Sequence, residues 1–373
     1  MCFDTNVFNT RKNMEDKKKK PYRILALDGG GIRGIIPATI IKEIEARTGK
    51  RIHELFDLVA GTSTGGILAL GLTLPLKNAK PYSGVELLDL YSTRGNEIFP
   101  KLGLWSRMLN PKGAFEEKYN QAGIEQVLRE YFQDVKLSQT LPGVEVLITA
   151  YEIEKRKPWF FKSNRAKQEK ERDFLAWEVA RSTSAAPTYF EPHKLDTGES
   201  EYWALVDGGV FANNPTMCAY AEAKMILGNI RQREKEAAER EIVERGMEEK
   251  IEARDGDNQD YLVVSIGTGT ATKRFPYGTA KDWGALGWLE PLISILMQGA
   301  SDSVDYQMRQ LLPDSTDKTQ HYFRFQVELS EDKEDMADVS PENIQFLKGI
   351  SQSLMETQSN DMDKLCAQLM AFS

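Results

Sequence analysis

The sequence repeats one pattern near its start, an apolar run that ends in a glycine-rich loop and continues into a helical segment. The first run is Tyr22 to Leu27, the loop after it is Asp28 to Gly34, and apolar residues then recur at helical spacing from Ile35 to Arg47. The second run is Phe56 to Ala60, followed by the turn Gly61 to Gly66. Strands connected through helices lie parallel in a sheet whose faces the helices cover. The sequence therefore predicts an α/β fold with a mostly parallel central sheet.

Further apolar runs extend this sheet past the middle of the chain. Buried strands are predicted at Val144 to Ala150, Trp203 to Val206, Tyr261 to Ile266 and Tyr322 to Val327. Because the strands continue so far along the sequence, we expect one large domain over residues 21–330 rather than two domains.

Three segments are expected to depart from this pattern. Residues 1–20, which end in the lysine run Lys17 to Lys20, predict a disordered basic tail. Residues 229 to about 258 are dense in charges of both signs and predict a charged helical insertion. Residues 331–373 are expected to form a C-terminal helical extension.

Composition excludes several partners and sites. The formal net charge is -8, so the chain is not built to bind a nucleic-acid polymer. Cys2, Cys218 and Cys366 lie far apart and lack the spacing of metal ligands, which indicates reduced thiols, a cytoplasmic location and no metal site. No apolar run approaches the length of about eighteen residues that a membrane span needs. Any contact with a membrane is therefore expected to be peripheral.

Residues 281–311 are strongly apolar at their start, where Trp283, Trp288, Leu292 and Leu296 occur. A core helix is one interpretation of this segment. A lipid-facing wall or lid is the other, because a helix with an exposed apolar face can bind lipid. The sequence leaves both interpretations open.

The second turn contains a candidate nucleophile. Gly61-Thr62-Ser63-Thr64-Gly65 is a G-x-S-x-G motif between a predicted strand and a helix starting near Ile67. In that context small residues on either side of the serine permit a sharp turn that presents its hydroxyl, and the helix N-terminus favours a developing anion. Ser63 is therefore the predicted nucleophile, with Gly61 and Gly65 supporting the turn. The alternative is a structural turn whose serine caps the helix.

A serine nucleophile needs a base, and the sequence offers two kinds. His53, His193 and His321 are the only histidines, and none lies in a glycine-rich loop at a strand end. Asp207 does, because Val206-Asp207-Gly208-Gly209 ends a predicted strand in a tight turn. A partly buried carboxylate there can accept the serine proton. Asp207 is the preferred base, with a loop-capping aspartate as the alternative.

The first glycine-rich loop can also bind an anion. Consecutive glycines allow several backbone N–H groups to point at one place, which suits an oxyanion hole formed by Gly29, Gly30 and Gly31. Arg33 is expected to bind a lipid phosphate or to brace the loop. The same loop satisfies the dinucleotide fingerprint G-x-G-x-x-G through Gly34, but the acidic residue expected at the end of the second strand is missing.

Taken together, these motifs resemble the patatin-like phospholipase family. The motifs in the family's order are Asp28-Gly29-Gly30-Gly31-Ile32-Arg33-Gly34, Gly61-Thr62-Ser63-Thr64-Gly65-Gly66, Thr183-Ser184-Ala185-Ala186-Pro187-Thr188, Asp207-Gly208-Gly209 with Asn213-Asn214-Pro215, and Ser265-Ile266-Gly267-Thr268-Gly269-Thr270. The resemblance implies a three-layer α/β/α sandwich with a nucleophile elbow. It also implies a catalytic dyad of Ser63 and Asp207 with Gly208 and Gly209 as supports, an oxyanion loop, and Arg33 at a position usually occupied by Arg or Lys.

The implied function is a phospholipase A type of lipid acyl hydrolase that needs neither cofactor nor metal. Its expected partner is a membrane phospholipid or related glycerolipid. Some bacterial proteins that resemble this chain are defence effectors activated by nucleotide second messengers, so a small-molecule activator is an open alternative. A dinucleotide-binding oxidoreductase and a non-catalytic lipid-binding protein are more distant ones.

Overall fold

The computed structural model of the chain describes residues 20–98, 121–187, 189–198, 201–244, 261–314 and 319–372. The predicted basic tail, apart from Lys20, lies outside the described residues, as do residues 245–258 of the predicted charged insertion.

Ten strands occur in the described chain. They are β1 Tyr22–Leu27, β2 Leu58–Gly61, β3 Glu145–Glu152, β4 Lys157–Lys162, β5 His193–Gly198, β6 Glu201–Asp207, β7 Tyr261–Ile266, β8 Thr270–Ala271, β9 Tyr322–Phe325 and β10 Glu328–Leu329. The main sheet has the order β5-β6-β3-β2-β1-β7-β9, with β4 also paired to β3, while β8 and β10 form a separate pair. Neighbours from β3 to β9 along this order are parallel. The mostly parallel central sheet is thereby confirmed.

The α-helices in the same part of the chain follow in sequence order. They are α1 Ile35–Thr48, α2 Ile52–Leu55, α3 Thr64–Thr73, α4 Gly84–Ile98, α5 Gln121–Phe132, α6 Ser163–Ala166, α7 Ala176–Thr183, α8 Gly209–Ala212, α9 Thr216–Glu244, α10 Tyr277–Ala280, α11 Ala285–Leu311, α12 Pro341–Thr357 and α13 Ser359–Ala371.

Helices cover both faces of the sheet, which makes the fold a three-layer α/β/α sandwich. Successive side chains of a strand point to opposite faces. In β1, Leu25 and Leu27 belong to the larger core with α1, α3, α4 and α7, and the last two helices also pack there. Ile24 points the other way, into a smaller core with Ala219 of α9 and Met308 of α11. This double burial explains why β1 is almost uniformly apolar.

Two expectations about local structure near the motifs were wrong. The helix after the G-x-S-x-G turn begins at Thr64 and not near Ile67, so the turn is tighter than predicted. The strand that ends at Asp207 runs antiparallel to β3, although its position was inferred from parallel-sheet geometry. The aspartate nevertheless reaches the same sheet edge, because β6 approaches that edge from beyond the end of β3.

The charged segment is the exposed end of a long helix rather than a separate element as far as the chain is described. Helix α9 begins in the core at Thr216 and continues to Glu244. Near its far end Lys235 and Glu239 form an i,i+4 ion pair at 3.9 Å. Such exposed pairs each contribute only a few tenths of a kcal/mol, about 0.3–0.5.

The apolar segment forms the first half of α11. Met308, toward its end, is fully buried, whereas Trp288 and Leu292 near its start are exposed. The core-helix interpretation therefore fails for the first half of the helix. None of the described helices combines the length with the apolar composition that a membrane span requires.

Candidate active site

The turn between β2 and α3 presents Ser63 in a strained backbone conformation. Its φ is 55° and its ψ is -124°, a region that non-glycine residues rarely adopt. The flanking glycines permit this turn by close approach. A Cβ on Gly61 would lie 2.2 Å from the Gly65 carbonyl oxygen, and one on Gly65 would lie 2.2 Å from that of Leu27. The sequence prediction that Gly61 and Gly65 support the turn thus has a steric basis.

A methyl group at Gly65 tests this steric account. Gly65→Ala is expected to lower the free energy of unfolding by about 1–3 kcal/mol or more, because backbone and not a flexible side chain occupies the space. Gly349→Ala in α12 is the matched control, since no heavy atom lies within 4 Å of its added Cβ. That control is expected to stabilise the protein by about 0.5–1 kcal/mol. Chemical denaturation measures both, and equal effects of the two changes would contradict the account.

A hydrogen bond from its backbone N–H holds Ser63 in place, and its side chain lies beside Asp207. Its N–H donates to Thr183 Oγ1 at 2.9 Å, and the Thr183 hydroxyl donates to the Thr149 carbonyl at 2.6 Å. The side chains of Ser63 and Asp207 line the same cavity, and their interaction lowers the pKa of the Asp207 carboxyl group against the larger effect of burial. The structure therefore brings together the two residues that the sequence analysis selected. Thr183 belongs to a motif singled out in the sequence, but its role in orienting the elbow was not predicted.

Asp207 reaches Ser63 because two strands end at the same level. Gly61 pairs with Ile148 of β3, and Asp207 pairs with Ala150 two residues further along. The chain then turns sharply, with a hypothetical Cβ on Gly208 only 2.0 Å from Thr149 Oγ1. Gly209 N–H donates to Asp207 Oδ1 at 2.7 Å. Gly208 thus supports the aspartate because only a residue without a Cβ fits against Thr149. Gly209 supports it through the hydrogen bond from its N–H group.

The carboxylate of Asp207 is almost completely buried, with 3% of its surface exposed. Burial raises the pKa of Asp207 to about 7, while hydrogen bonds from Ser63 and Gly209 act in the opposite direction. A carboxyl group normally titrates near about 3.9. The raised value makes this carboxylate a far stronger base than an exposed aspartate near neutral pH.

The three histidines lie elsewhere. None of them lines the cavity into which Ser63 and Asp207 face. His53 lies on α2, at the opposite end of the strand that feeds the elbow. His193 is at the start of β5, where burial and the charges of Arg181 and Arg129 lower its pKa to about 4. His321 Nδ1 lies 3.1 Å from the Tyr261 carbonyl oxygen.

The glycine-rich loop offers two backbone donors to the cavity and not three. Gly29 N–H donates to the Asn213 carbonyl at 3.0 Å and does not line the cavity. Gly30 and Gly31 do line it, and within the described residues no protein acceptor is assigned to their N–H groups. The expectation that Gly29 donates to an oxyanion is therefore corrected. Thr64, at the start of α3, also lines the cavity and places a helix N-terminus there.

Distant segments hold this loop in place. Ile32 N–H donates to the Met336 carbonyl at 2.8 Å, and the Thr268 hydroxyl donates to the Gly29 carbonyl. A Cβ on Gly31, whose φ is +58°, would lie 2.2 Å from the Met336 carbonyl oxygen. The contribution of Met336 was not predicted, because nothing in the sequence near that residue marks it as a contact of the loop.

The loop begins at an ion pair in the core. Arg324 of β9 contacts both carboxylate oxygens of Asp28, at 3.1 Å and 2.6 Å, and both side chains are buried. Arg324 also donates to Ser265 Oγ at 2.8 Å. The pair fixes the first residue of the loop to the far edge of the parallel sheet.

Removing one partner of this pair is expected to be costly. Arg324→Met should lower the free energy of unfolding by about 3–5 kcal/mol, because Asp28 would stay buried without its counter-charge. Arg309→Met is the control, since Arg309 pairs with Asp305 at 3.0 Å but is 57% exposed. The control should change stability by at most about 1 kcal/mol. Comparable losses in urea denaturation would mean that the buried pair is not what anchors the loop.

Arg33 braces the loop from within. Its Nε donates to the Gly30 carbonyl at 3.3 Å, and the residue is buried. Burial lowers the pKa of Arg33 to about 10, which leaves the guanidinium charged at neutral pH. The bracing role that the sequence analysis considered is therefore present in the geometry.

Ser63 and Asp207 face an apolar cavity of about 200 Å³. Side chains from several elements share its lining, among them Ile67, Tyr91, Ile124, Phe190, Val210, Ile293, Leu296 and Met297. A groove of about 1010 Å³, lined by charged and apolar side chains, adjoins it, and Tyr189, Ile293, Met297 and Met336 line both. Arg33, Lys273 and Arg274 line the groove together with several acidic residues. The site thus joins an apolar chamber to a charged one.

The dinucleotide alternative gains nothing from this geometry. Asp57, the one acid of the second apolar run, lies at the opposite end of that run from the loop. Its Oδ1 is 2.8 Å from Arg23 Nη2, and its Oδ2 accepts from the Arg23 backbone N–H at 2.8 Å. A carboxylate engaged in this way is not available to a ribose at the sheet edge.

Comparisons with known proteins agree with the resemblance seen in the sequence. A family model described as "Patatin-like phospholipase" matches residues 25–220. "Patatin-like protein 2" of Arabidopsis thaliana is 33% identical over 76% of this chain and 70% of its own length. "Patatin-like protein 2" of Oryza sativa subsp. japonica is 31% identical over 93% of this chain and 87% of its own length.

Not every relative carries a name that implies activity. A Solanum tuberosum relative, 31% identical over 81% of this chain and 78% of its own length, is named "Probable inactive patatin-3-Kuras 1". The chemistry of the chain must therefore be argued from its own site. By family model and by relatives alike, the chain belongs to the patatin-like phospholipase family.

Proposed function

We propose that this chain is a phospholipase A type of lipid acyl hydrolase that uses Ser63 as nucleophile and Asp207 as base and acid. Family membership supports lipid acyl hydrolase activity in general. The observation that carries the finer proposal is that Ser63 and the buried Asp207 carboxylate line the same apolar cavity, where Ser63 acts on the pKa of Asp207.

In the first half of the proposed reaction, Ser63 Oγ attacks the carbonyl carbon of an acyl ester while its proton passes to Asp207. The carbonyl oxygen becomes an oxyanion, which the N–H groups of Gly30 and Gly31 stabilise with the N-terminus of α3. Loss of one such donor typically costs about 10² to 10³ in rate. The C–O bond to the alcohol then breaks, and Asp207 returns the proton to the departing lysolipid oxygen.

In the second half, a water molecule attacks the acyl-serine and gives its proton to Asp207. The oxyanion forms again at the same donors and collapses with release of a fatty acid. Asp207 then returns the proton to Ser63 Oγ, which restores the starting state. The raised pKa of Asp207, about 7, suits both roles, because a group titrating near the working pH can take and give a proton.

The two chambers favour an amphiphilic substrate. The apolar cavity suits a fatty-acyl chain, and the charged side chains in the groove beside it suit a head group. Arg33, Lys273 and Arg274 are candidates to contact a lipid phosphate there. A fatty-acyl ester of a phospholipid or a related glycerolipid is therefore the proposed substrate class.

The test is acyl release by the purified full-length chain from phosphatidylcholine and galactolipid vesicles, followed by mass spectrometry of the products. The proposal predicts free fatty acid together with the matching lysolipid. Product in the presence of a chelator is expected as well, because no step requires a metal. Absence of both products from every lipid, with a folded protein, would contradict the proposal.

A further inference from the structure

Helix α11 has apolar residues on two opposite faces. One face is turned inward, where Ile293 and Met297 line the apolar cavity and Met308 lies in the core. The opposite, outward face carries Trp288, Leu292, Ile295 and Leu296. Their spacings of four, three and one residues place them on the same side of a helix. We call these four residues the outer patch.

The outer patch is exposed to an unusual degree for large apolar side chains. Trp288 is 40% exposed, Leu292 45%, Ile295 43% and Leu296 57%. A solvated helix normally carries polar residues on its outward face. Four large apolar side chains together on one face indicate a surface that another apolar phase covers.

The apolar character of this face is confined to one end of the helix. Leu292, Ile295 and Leu296 lie in the charge-free stretch from Pro291 to Gly299, and Glu290 is the one charged residue between Trp288 and that stretch. Further along the same side, Asp302 and Arg309 are exposed, and Tyr306 is the remaining large side chain. The change occurs where the helix leaves the apolar cavity. A patch needed only for folding would have no reason to stop at that boundary.

The outer patch is continuous with the cavity. Leu296 belongs to the patch and also lines the cavity, and the exposed Val210 of α8 lines it from the other side. A surface that merges with the wall of an acyl-binding chamber is placed where a lipid would leave its bilayer. We propose that the outer patch inserts into the interfacial region of a zwitterionic phospholipid bilayer and positions the cavity over it. This proposal rests on the proposed function, because it assigns the lipid its route to Ser63.

The absence of charge within the patch determines how this binding should behave. Attraction of basic residues to anionic lipid weakens steeply with salt. Burial of apolar side chains in the interface does not weaken with salt and needs no anionic lipid. The chain as a whole carries a formal net charge of -8, which also disfavours an anionic surface. Binding is therefore expected on phosphatidylcholine vesicles and at high salt.

The experiment compares vesicle flotation of Ser63→Ala with that of Ser63→Ala carrying Leu292→Ser and Ile295→Ser. Neither Leu292 nor Ile295 lines the cavity, so the catalytic machinery remains intact. The two extra changes should weaken partition into phosphatidylcholine vesicles about tenfold or more, whether salt is low or high. Leu311→Ser is the matched control, since Leu311 is 51% exposed at the other end of the same helix. It should leave partition unchanged.

Kinetics in the active background complete the test. The double variant should lose vesicle hydrolysis about as strongly as it loses partition, while turnover of a soluble short-chain ester stays within about twofold of wild type. Unchanged partition of a variant with an unaltered melting temperature would overturn the proposal. The proposal would also be overturned if the wild type is a dimer, the double variant is a monomer, and the two bind vesicles equally. A second copy of the chain would then cover the outer patch. Leu292→Ala with Ile295→Ala replaces the serine pair if that pair unfolds.

Flotation separates this proposal from the proposed function. The Ser63→Ala protein has no nucleophile, so its binding to vesicles does not depend on catalysis. Patch-dependent binding with no hydrolysis by wild type would keep the docking surface and reject the enzyme. Hydrolysis without patch-dependent binding would support the enzyme and reject the docking surface.

Discussion

Ser63→Ala is expected to lower kcat/KM for acyl ester hydrolysis on the order of 10⁴- to 10⁶-fold, which leaves only the catalysis due to the oxyanion donors and substrate binding. The substitution removes the only atom in the proposed reaction that forms a covalent bond to the acyl group. It leaves the fold intact, because the Ser63 contact to Thr183 is made by the backbone N–H. A continuous assay with a nitrophenyl ester of a short fatty acid measures this loss.

The chain provides a matched control for that change. Ser184 lines the same cavity, is buried, and has a hydroxyl with no hydrogen-bond partner among the described residues. Ser184→Ala is expected to keep kcat/KM within about threefold of wild type, since no step passes through its hydroxyl. If Ser63→Ala kept comparable activity, the nucleophile would have to be another residue.

Asp207→Asn is expected to lower kcat/KM about 10²- to 10⁴-fold, because an amide cannot accept the serine proton. The same group should set the pH dependence of wild type. Since burial raises the pKa of Asp207 to about 7, kcat/KM should fall on the acid side with an apparent pKa near that value. The asparagine variant should lose this limb of the profile. A full acid limb in the variant would assign the titration, and the role of base, to another group.

The same substitution should raise stability above neutral pH. The folded-state pKa of Asp207, about 7, exceeds the unfolded value of about 3.9, so the folded state binds the proton more tightly. Stability from this group is therefore present below about pH 4 and is lost as pH rises through about 7. Asparagine does not titrate, so its stability does not change in this way. As pH rises from about 4 to about 7, the free energy of unfolding of Asp207→Asn should therefore increase relative to that of wild type, on the order of 1–4 kcal/mol.

Thermal unfolding at pH 4.5 and pH 8 measures this difference. We expect the melting temperature of Asp207→Asn to exceed that of wild type at pH 8 and to approach it at the lower pH. A catalytic residue that destabilises its own fold is the signature of a site arranged for chemistry. An equal change in melting temperature at both pH values would mean that burial does not raise the pKa of Asp207.

Local features of the sequence were sufficient to predict the elbow and most of the sheet. The motif around Ser63 carries its own constraints, because glycines at 61 and 65 are needed for a turn that only close backbone approach permits. The strands β1 and β7 were placed to the residue, since burial on both faces makes such strands continuously apolar. These are properties of neighbouring residues, which a single sequence displays.

Long-range features were not accessible in the same way. Parallel-sheet geometry predicts the right sheet edge for Asp207, although β6 is antiparallel to β3. The N–H of Gly29 was assigned to an oxyanion, but it is engaged by Asn213, far away in sequence. Direction of a strand and engagement of an amide depend on partners that no local pattern specifies.

The site also extends beyond the region that the family model matches. That match ends at residue 220, whereas Thr268, Arg324 and Met336 all lie later in the chain. Each of the three contacts the glycine-rich loop or its first residue. The C-terminal part of the chain is therefore a component of the proposed oxyanion site, and changes there are expected to affect rate as well as stability.

Covalent labelling shows whether Ser63 is the residue that receives the acyl group. The protein is incubated with an alkyl fluorophosphonate, which reacts with activated serines, and the modified residue is located by peptide mass spectrometry. We expect one adduct, on Ser63, formed in parallel with loss of hydrolysis, and slower labelling of Asp207→Asn. An adduct on any other residue that abolishes hydrolysis while Ser63 stays unmodified would contradict this expectation.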